Sequence, residues 1–366
     1  MIMNVVKKLK TQTILACLVL LVIVSSSSFG VTGSQVAQDN RLGYEIAING
    51  THAFVTNNEG VAVYTIEDTS APARVGQISL GGEARGITLV ENVLYIGALS
   101  RGLVIANISE NPTDPTILSE YILGDYVTEV CIDGNYAFIS SGFGETQILD
   151  ISDPSNLDVL GHLPISELTL DIAVSGSTVY VARPNSGLRL IDVGNLNSPS
   201  ILSLVSDTSG ARDLHVQGDL LYVARGTSGV SIFDISDSAS PVAIGQYNDG
   251  GHSFGLHGDS QYLCIADLQE GVELLDISIP ESPVEIAHYE DAAPHDLIYK
   301  EGYAYLADQD EEFLLIDIVS SVTYSNSSSP TTGGTPNPSL FVSIVLVFSA
   351  VFAVVIVLVI MLKKRY

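Results

Sequence analysis

Acidic residues recur at a regular interval in this chain of 366 residues. Positions about 42 residues apart form one column, which reads Glu45, Gly86, Glu129, Asp171, Asp213, Gly255 and Asp296. Carboxylates that converge supply the several oxygen ligands that a hard cation such as Ca²⁺ requires. The column therefore predicts a cation site if the fold brings its members together. The alternative is that each acid caps a turn or pairs with a neighbouring arginine, and recurs because the structural unit recurs.

Arginine and aromatic residues accompany the acidic column. The positions just before it hold Tyr44, Arg85, Thr128, Leu170, Arg212, Phe254 and His295, and a second set of positions 12 residues further on includes Arg183 and Arg225. Guanidinium groups match carboxylate geometry, so these arginines predict contact with a carboxylate or sugar-acid ligand. The candidate ligand-binding residues are Glu45, Arg85, Glu129, Asp171, Arg183, Arg212, Asp213, Arg225, His295 and Asp296.

Other reactive patterns in the sequence are weak. The segment 308–312 begins like a calcium loop but lacks the glycine and the terminal glutamate of an EF-hand. His252, His257 and His295 lack the spacing of a zinc site, which favours loop or core roles. Cys131 and Cys264 fall in distant repeats and are expected to be unpaired, buried apolar residues. No catalytic residue, no metal ligand set and no certain cofactor is predicted, with Ca²⁺ the one cofactor that the acids suggest.

Two further columns define a repeating unit that must position these residues. An aromatic column reads Phe54, Tyr95, Phe138, Tyr180, Tyr222, Cys264 and Tyr305, and a later column reads Thr65, Asn107, Asp150, Asp192, Asp234, Asp276 and Asp317. Both advance by 41 to 43 residues, in step, over seven copies. The aspartate column is expected to accept backbone amides of the turn that follows it.

Each unit has the pattern of four short strands. In the copy at 211–251, apolar segments at 213–216, 220–224, 230–235 and 241–247 are separated by turn residues. Seven units of four antiparallel strands predict an all-β, seven-bladed β-propeller over 36–319, in which the first strand of each blade lines the axis. The last copy has three clear strands. Its fourth is expected from 36–42 at the N-terminal side, with 319–324 as the competing segment.

The repeats resemble the LVIVD-repeat family. The matching segments are Leu190-Ile-Asp-Val, Leu274-Leu-Asp-Ile and Ile148-Leu-Asp-Ile-Ser-Asp-Pro, while copies one and two depart at Thr65 and Asn107. The resemblance implies a β-propeller, usually on the cell surface of bacteria or archaea. It supplies no catalytic motif.

The two ends predict an exported, anchored protein. Residues 1–30 combine three lysines with a short apolar run, as in a signal peptide, with cleavage expected between 28 and 37. Residues 320–339 read as a flexible Ser/Thr/Pro/Gly-rich stalk, and 340–362 as a transmembrane helix. The basic tip at 363–366 is then cytoplasmic and the propeller extracellular, as a single-pass protein of the cell membrane. Asn49, Asn107 and Asn326 are candidate glycosylation sites.

Charge excludes one class of partner. All 42 acidic residues and nine of the 15 basic ones lie between the two ends, which gives that region a net charge of −33. Such a surface repels phosphate, so nucleic acid is not expected as a partner. The sequence therefore favours a surface module that binds a protein, a glycan or an envelope component. The alternative is a metal-assisted lyase or hydrolase that uses an axial funnel.

Overall fold

The computed structural model describes residues 33–35, 42–123, 126–141, 146–165, 167–205, 208–268 and 270–319. Their strands form seven antiparallel sheets of four strands each, in agreement with the predicted propeller. Blade 1 contains β2 (Ile46–Ile48), β3 (His52–Asn57), β4 (Gly60–Thr65) and β5 (Ala73–Ser79). Blade 2 contains β6 (Ile87–Val90), β7 (Val93–Gly97), β8 (Leu103–Asn107) and β9 (Thr116–Tyr121). Blade 3 contains β10 (Val127–Asp133), β11 (Tyr136–Ser141), β12 (Thr146–Asp150) and β13 (Asp158–Leu163).

The remaining blades repeat this order. Blade 4 contains β14 (Asp171–Ser175), β15 (Thr178–Arg183), β16 (Gly187–Asp192) and β17 (Ser200–Val205). Blade 5 contains β18 (Asp213–Gln217), β19 (Leu220–Ala224), β20 (Val230–Asp234) and β21 (Val242–Tyr247). Blade 6 contains β22 (Ser253–Gly258), β23 (Tyr262–Asp267), β24 (Gly271–Asp276) and β25 (Val284–Tyr289). Blade 7 contains β26 (Pro294–Lys300), β27 (Tyr303–Asp308), β28 (Glu312–Asp317) and β1 (Gly33–Gln35).

The core lies between adjacent blades. Central strands are covered on both faces, so they carry nearly continuous apolar runs; all six residues of β15 are buried. Outer strands face solvent on one side and are largely exposed or half-buried, as β9 is. The aromatic column is buried throughout, and Phe54 of blade 1, for example, shares an apolar cluster with Leu94 and Ile96 of blade 2. Burial of this column holds each blade against the next.

The aspartate column has the predicted structural role. Asp150, Asp192, Asp234 and Asp276 each accept, at Oδ1, the backbone amide two residues later, at 2.8 to 2.9 Å. Asn107 makes the same bond to the Ser109 amide. These short polar side chains therefore close the turn after the third strand of each of these blades, as Asx turns do.

The first strand of the chain completes the last blade. β1 pairs antiparallel with β28, with Ser34 opposite Leu315. The N-terminal side was the expected source of this strand, but the segment predicted for it, 36–42, is wrong: the paired residues lie just upstream, and the propeller begins at 33 and not at 36. This pairing covers the outer edge of β28.

A buried glutamate joins the last blade to the first. Glu312 accepts a hydrogen bond from Asn57 Nδ2 at 2.7 Å and one from the Tyr64 hydroxyl, and Arg74 Nε lies 3.4 Å from its carboxylate. Its φ of +61° occurs where most other blades place glycine, as at Gly271 with φ of +96°. The contacts of the carboxylate offset this backbone strain.

Several predicted segments fall outside the described residues. They are the signal peptide (1–30), the stalk (320–339), the transmembrane helix (340–362), the basic tip (363–366) and the sequon at Asn326. Within the described residues, no helix has the length and apolar character needed to cross a membrane.

Candidate functional site

One cavity lies where the first strands of all seven blades begin. Its volume is about 200 Å³, and it is lined by Tyr44, Glu45, Arg85, Thr128, Glu129, Leu170, Asp171, Arg212, Asp213, Phe254, Gly255, His295 and Asp296. These are members of the acidic column and of the column before it. The strands that line the axis were therefore identified correctly from the repeat. We call this space the axial cavity, and we call Glu45, Glu129, Asp171, Asp213 and Asp296 the axial ring.

The axial ring binds backbone amides of the innermost strands. The first strand of each blade has an edge towards the axis, and its amides there lack a neighbouring strand. Glu45 accepts the Ile87 amide of the next blade at 2.8 Å, and Asp213 accepts the Leu256 amide at 2.5 Å. The Ile46, Val130, Ile172 and Leu214 amides also donate to ring carboxylates, and the Leu297 amide lies against Asp296. Two alternatives to a cation site were expected from the sequence, namely capping of a turn and pairing with a neighbouring arginine. The bonds to inner-strand amides are a third role that differs from both.

The two glycines of the column stand where neighbouring strands approach most closely. A Cβ on Gly86 would lie 2.9 Å from the Thr128 carbonyl oxygen, and one on Gly255 would lie 3.0 Å from that of His295. A carboxylate side chain does not fit at either position. The blade after each glycine therefore receives no carboxylate from the blade before it. Its own acid accepts the inner-strand amide instead, as Glu129 accepts the Val130 amide at 2.9 Å.

Burial raises the pKa of all five axial-ring carboxyl groups. The Asp296 pKa rises to about 7, and those of Glu45, Glu129 and Asp213 rise well above their ordinary values, with repulsion between ring members adding to the effect of burial. By surface area the residues are only half-buried, because the cavity is open. Protein nevertheless surrounds the carboxyl groups. A hydrogen bond with Asp171 raises the Asp213 pKa further.

Stacked cationic and aromatic side chains surround the mouth of the axial cavity. The Arg85 guanidinium lies 4.2 Å from the centre of the Tyr44 ring, and Arg212 lies 4.2 Å from that of Phe254. His295 makes edge contacts with both rings, at 6.2 Å from Tyr44 and 5.8 Å from Phe254. Stacking of this kind fixes guanidinium planes and leaves their N–H edges accessible.

The two mouth arginines differ in their protein partners. Arg85 Nε donates to Glu83 Oε1 at 2.5 Å. The Arg212 guanidinium forms no hydrogen bond or ion pair with another residue of the described chain, and Phe254 is its stacking partner. Arg212 therefore presents an ordered cation with its donors available to a ligand.

Two of the predicted site residues are not brought to the axial cavity. Arg183 is 1% exposed, and its guanidinium donates to Glu167 at 2.9 Å. Arg225 donates to Ser231 Oγ of the same blade at 2.9 Å. Arg183 ends the second strand of its blade and Arg225 follows the second strand of its own, and each side chain bonds a nearby polar group. The expectation that they face the mouth was wrong.

The weaker motifs have structural partners. Asp308 accepts the amides of Ala293, Asp310 and Glu311 at 2.7 to 2.9 Å, which makes 308–312 a capped acidic loop. His257 Nδ1 accepts the Tyr299 amide, within the strands. Cys264 is buried, Cys131 is half-buried, and both are unpaired. Glycosylation at Asn49 and Asn107 stays a prediction.

A cluster outside the axial cavity was missed from sequence. Asp249, Glu270 and Glu273, here called the acidic triad, place one carboxylate oxygen each within 4.8 Å of one another. Among the described residues this is the one group of three or more such ligands so closely spaced, and the axial ring does not form one. The triad lies at a single blade junction of the described residues and is not repeated, so it leaves no periodic signal in the sequence.

Comparison with known proteins agrees with the fold. The LVIVD repeat model matches residues 81–122, 124–163, 168–207, 209–249, 256–291 and 294–336. Among curated proteins, no sequence matches the chain.

Solved structures that are similar in fold have little sequence in common with this chain. They include the computationally designed Ika8 protein (9% identity, TM-score 0.58, 78% of this chain and 99% of the other). The Myceliophteria thermophila Cps50 (Swd1) β-propeller domain has 11% identity, a TM-score of 0.62 and coverage of 78% and 99%. The RRP9 WD40 repeats have 7% identity, a TM-score of 0.65 and coverage of 80% and 98%. At these identities the likeness shows the propeller fold alone, whereas the six matched repeats, which span most of the sequence, show that this chain belongs to the LVIVD-repeat family.

Proposed function

We propose that this chain is a membrane-anchored extracellular binding module whose axial cavity holds part of a surface protein, a glycan or an envelope component. The observation that supports this best is the Arg212 guanidinium, which is stacked on Phe254 at the mouth and forms no hydrogen bond or ion pair within the described chain. An ordered guanidinium beside aromatic faces suits a ligand that combines a carboxylate with an apolar or sugar surface.

The neighbours of Arg212 restrict the ligand further. The pKa of His295 is lowered, first by burial and then by Arg85, so its imidazole is neutral near pH 7 and acts as a hydrogen-bonding group. The axial ring lies one residue further along each strand and disfavours a second anionic group in the cavity. A ligand with a single carboxylate, such as a sugar acid or the C-terminus of a peptide, fits this arrangement better than a polyanion.

The test is binding of the detergent-purified full chain to immobilised acidic oligosaccharides and to peptides with free C-terminal carboxylates. We expect saturable binding to one of these classes and a loss of tenfold or more in Arg212→Gln, because one charged bidentate contact contributes about 1.5–3 kcal/mol. Arg101→Gln is the matched control, since Arg101 pairs with Glu120 and is not among the cavity residues. Equal binding by the Arg212→Gln variant and the unmodified chain would show that the mouth is not the binding site.

The alternative function is a metal-assisted lyase or hydrolase in the axial funnel. Raised carboxyl pKa values are common in active sites, and the axial ring has them. Here, however, the ring carboxylates already accept the inner-strand amides, which gives them a structural role. We therefore propose binding and not catalysis; turnover of an oligosaccharide in the binding assay would reverse the choice.

A further inference from the structure

We propose that the acidic triad, Asp249, Glu270 and Glu273, is a Ca²⁺-binding site at the junction of blades 5 and 6. The site is separate from the axial cavity, and it does not depend on the proposed binding function. Its carboxylates come from two segments of the chain, the connection that holds Asp249 and the hairpin that holds Glu270 and Glu273, so a bound ion would connect them.

The fold brings the triad together from two blades. Asp249 lies in the connection between β21 of blade 5 and β22 of blade 6. Glu270 lies in the turn between β23 and β24, and Glu273 lies within β24. The Gly251 amide donates to Asp249 Oδ1 at 3.1 Å, which holds the connecting loop in a turn beside the other two acids.

Glu273 is the member that points to a ligand. It is 1% exposed, and its Oε1 atom is buried and bonded to no donor group of the described residues. Its carboxyl group meets that of Asp249, which is itself a member of the triad. A buried carboxylate oxygen without a donor is costly, so such a group is expected to be paired or to bind a metal. One carboxylate oxygen from each of the three residues lies within 4.8 Å of the others, a spacing that one central cation can bridge.

The corresponding positions in blades 3 and 5 are satisfied within the protein. In blade 3 this position is Gln147, which accepts the Tyr121 hydroxyl at 2.6 Å, and in blade 5 it is Ser231, which accepts Arg225 at 2.9 Å. In blade 6 the tyrosine that corresponds to Tyr121 is Tyr247, and it donates to Glu285 at 3.2 Å instead. Glu273 is thus left without the partner that the repeat provides elsewhere.

The charge around the triad also favours a cation. Three carboxyl groups lie together here. The basic residue beside the triad, His288, is already engaged, because its Nε2 bonds the Glu270 carbonyl and its Nδ1 lies 3.4 Å from Glu285. A divalent ion would offset the charge of the triad.

The exposure of the site favours Ca²⁺ over smaller ions. Asp249 and Glu270 are exposed and can shift, while water completes the coordination. Ca²⁺ accepts six to eight oxygens in flexible geometry, whereas Mg²⁺ requires a near-octahedral shell. A site of three carboxylates on an extracellular module is expected to have a Kd of about 10⁻⁴ to 10⁻³ M.

Terbium luminescence and calorimetry on the full chain in detergent test the site. Tb³⁺ substitutes for Ca²⁺ and is excited through tyrosine; the chain has no tryptophan, and Tyr247 lies near Glu273 and Asp249. We expect saturable luminescence that Ca²⁺ competes away, and calorimetric Ca²⁺ binding that is weakened at least tenfold in Glu273→Gln and in Asp249→Asn. Glutamine matches the shape of glutamate, and Asp249 is exposed, so both variants are expected to fold.

Two controls locate the ion. Glu281→Gln makes the same change in an exposed turn of blade 6 and should bind Ca²⁺ as the unmodified chain does. The double variant Asp171→Asn with Asp213→Asn removes charge from the axial ring and should also keep the site. Binding that survives Glu273→Gln and Asp249→Asn, binding lost in the axial-ring variant alone, or no saturable binding would each overturn the proposal.

Discussion

At the scale of single residues, the recurring acids serve the inner edge of the propeller. Leu214, for example, donates its amide to Asp171 Oδ2 at 2.7 Å across the boundary between blades 4 and 5. An amide at the axis has no neighbouring strand, and a carboxylate satisfies it at short range. The cost is that five carboxyl groups share one small space, and this cost depends on pH.

The stability of the protein should fall as the pH rises from about 4 towards 7 and beyond. The pKa values of the axial ring are raised in the folded state, so the folded protein binds more protons than the unfolded chain in this range. Asp213→Asn should therefore increase the free energy of unfolding at pH 8 by about 1–2 kcal/mol and change it little at pH 4. Chemical denaturation at both pH values measures the difference.

The same change on the surface provides the control for this prediction. Asp237 is exposed and accepts the Ala239 amide in a turn, so Asp237→Asn should leave the pH dependence as it is in the unmodified chain. If Asp213→Asn destabilises the protein equally at pH 4 and pH 8, the ionised carboxylate itself is required and the argument from burial fails.

Residues of the site that recur in every repeat were predictable from the sequence, and residues whose role depends on a single local partner were not. The axial positions occur once in every unit, so their column predicts the cavity from the sequence alone. The orientation of Arg183 and Arg225 was not predictable, because it depends on whether Glu167 or Ser231 is within reach. Glu273 sits among apolar residues in one strand of one blade, and its sequence neighbourhood carries no sign of Asp249.

At the scale of elements, closure of the ring depends on one very short strand. β1 supplies the outer strand of blade 7, while β26, β27 and β28 come from the other end of the propeller sequence. The repeat predicted that an N-terminal strand exists but placed it at 36–42. Register along so short a strand is set by the pairing with β28, in which Gln35 lies opposite Leu314, and the local sequence contains little of that information.

Removal of β1 should destabilise the propeller measurably. A chain that starts at residue 36 loses the pairing of Gly33, Ser34 and Gln35 with β28. At about 1 kcal/mol for each hydrogen bond, together with exposure of the β28 edge, the Tm should fall by about 5 °C or more relative to a chain that starts at residue 31. Differential scanning calorimetry measures the shift.

A chain that starts at residue 33 is the matched control, because it removes residues and keeps the strand. Its Tm should equal that of the longer chain; equal values for all three chains would mean that β1 does not close the ring.

The position of β1 also restricts where the predicted signal peptide can be cleaved. Of the cleavage positions expected between 28 and 37, those up to residue 32 preserve β1, and the mass of the secreted chain should agree with one of them.

At the scale of the whole molecule, the distribution of lysines offers a test of the proposed extracellular location of the propeller. The region between the two ends has a net charge of −33 and contains one lysine, Lys300, which is exposed at the far end of β26 from His295. The other lysines lie at 7, 8 and 10, in the predicted signal peptide, and at 363 and 364, in the predicted cytoplasmic tip. Lysine chemistry can therefore distinguish the two sides of the membrane.

We predict that a membrane-impermeant amine reagent, applied to intact cells, labels Lys300 and leaves Lys363 and Lys364 unmodified until the cells are permeabilised. The reason is that a propeller outside the membrane exposes Lys300, whereas the positive-inside rule places the terminal basic residues in the cytoplasm. Peptide mapping by mass spectrometry separates these lysines from the free N-terminal amine, and Lys300→Arg should remove the propeller label alone. Labelling of Lys363 or Lys364 in intact cells, or protection of Lys300 there, would contradict the proposed topology and with it the assignment of the axial cavity to an extracellular ligand.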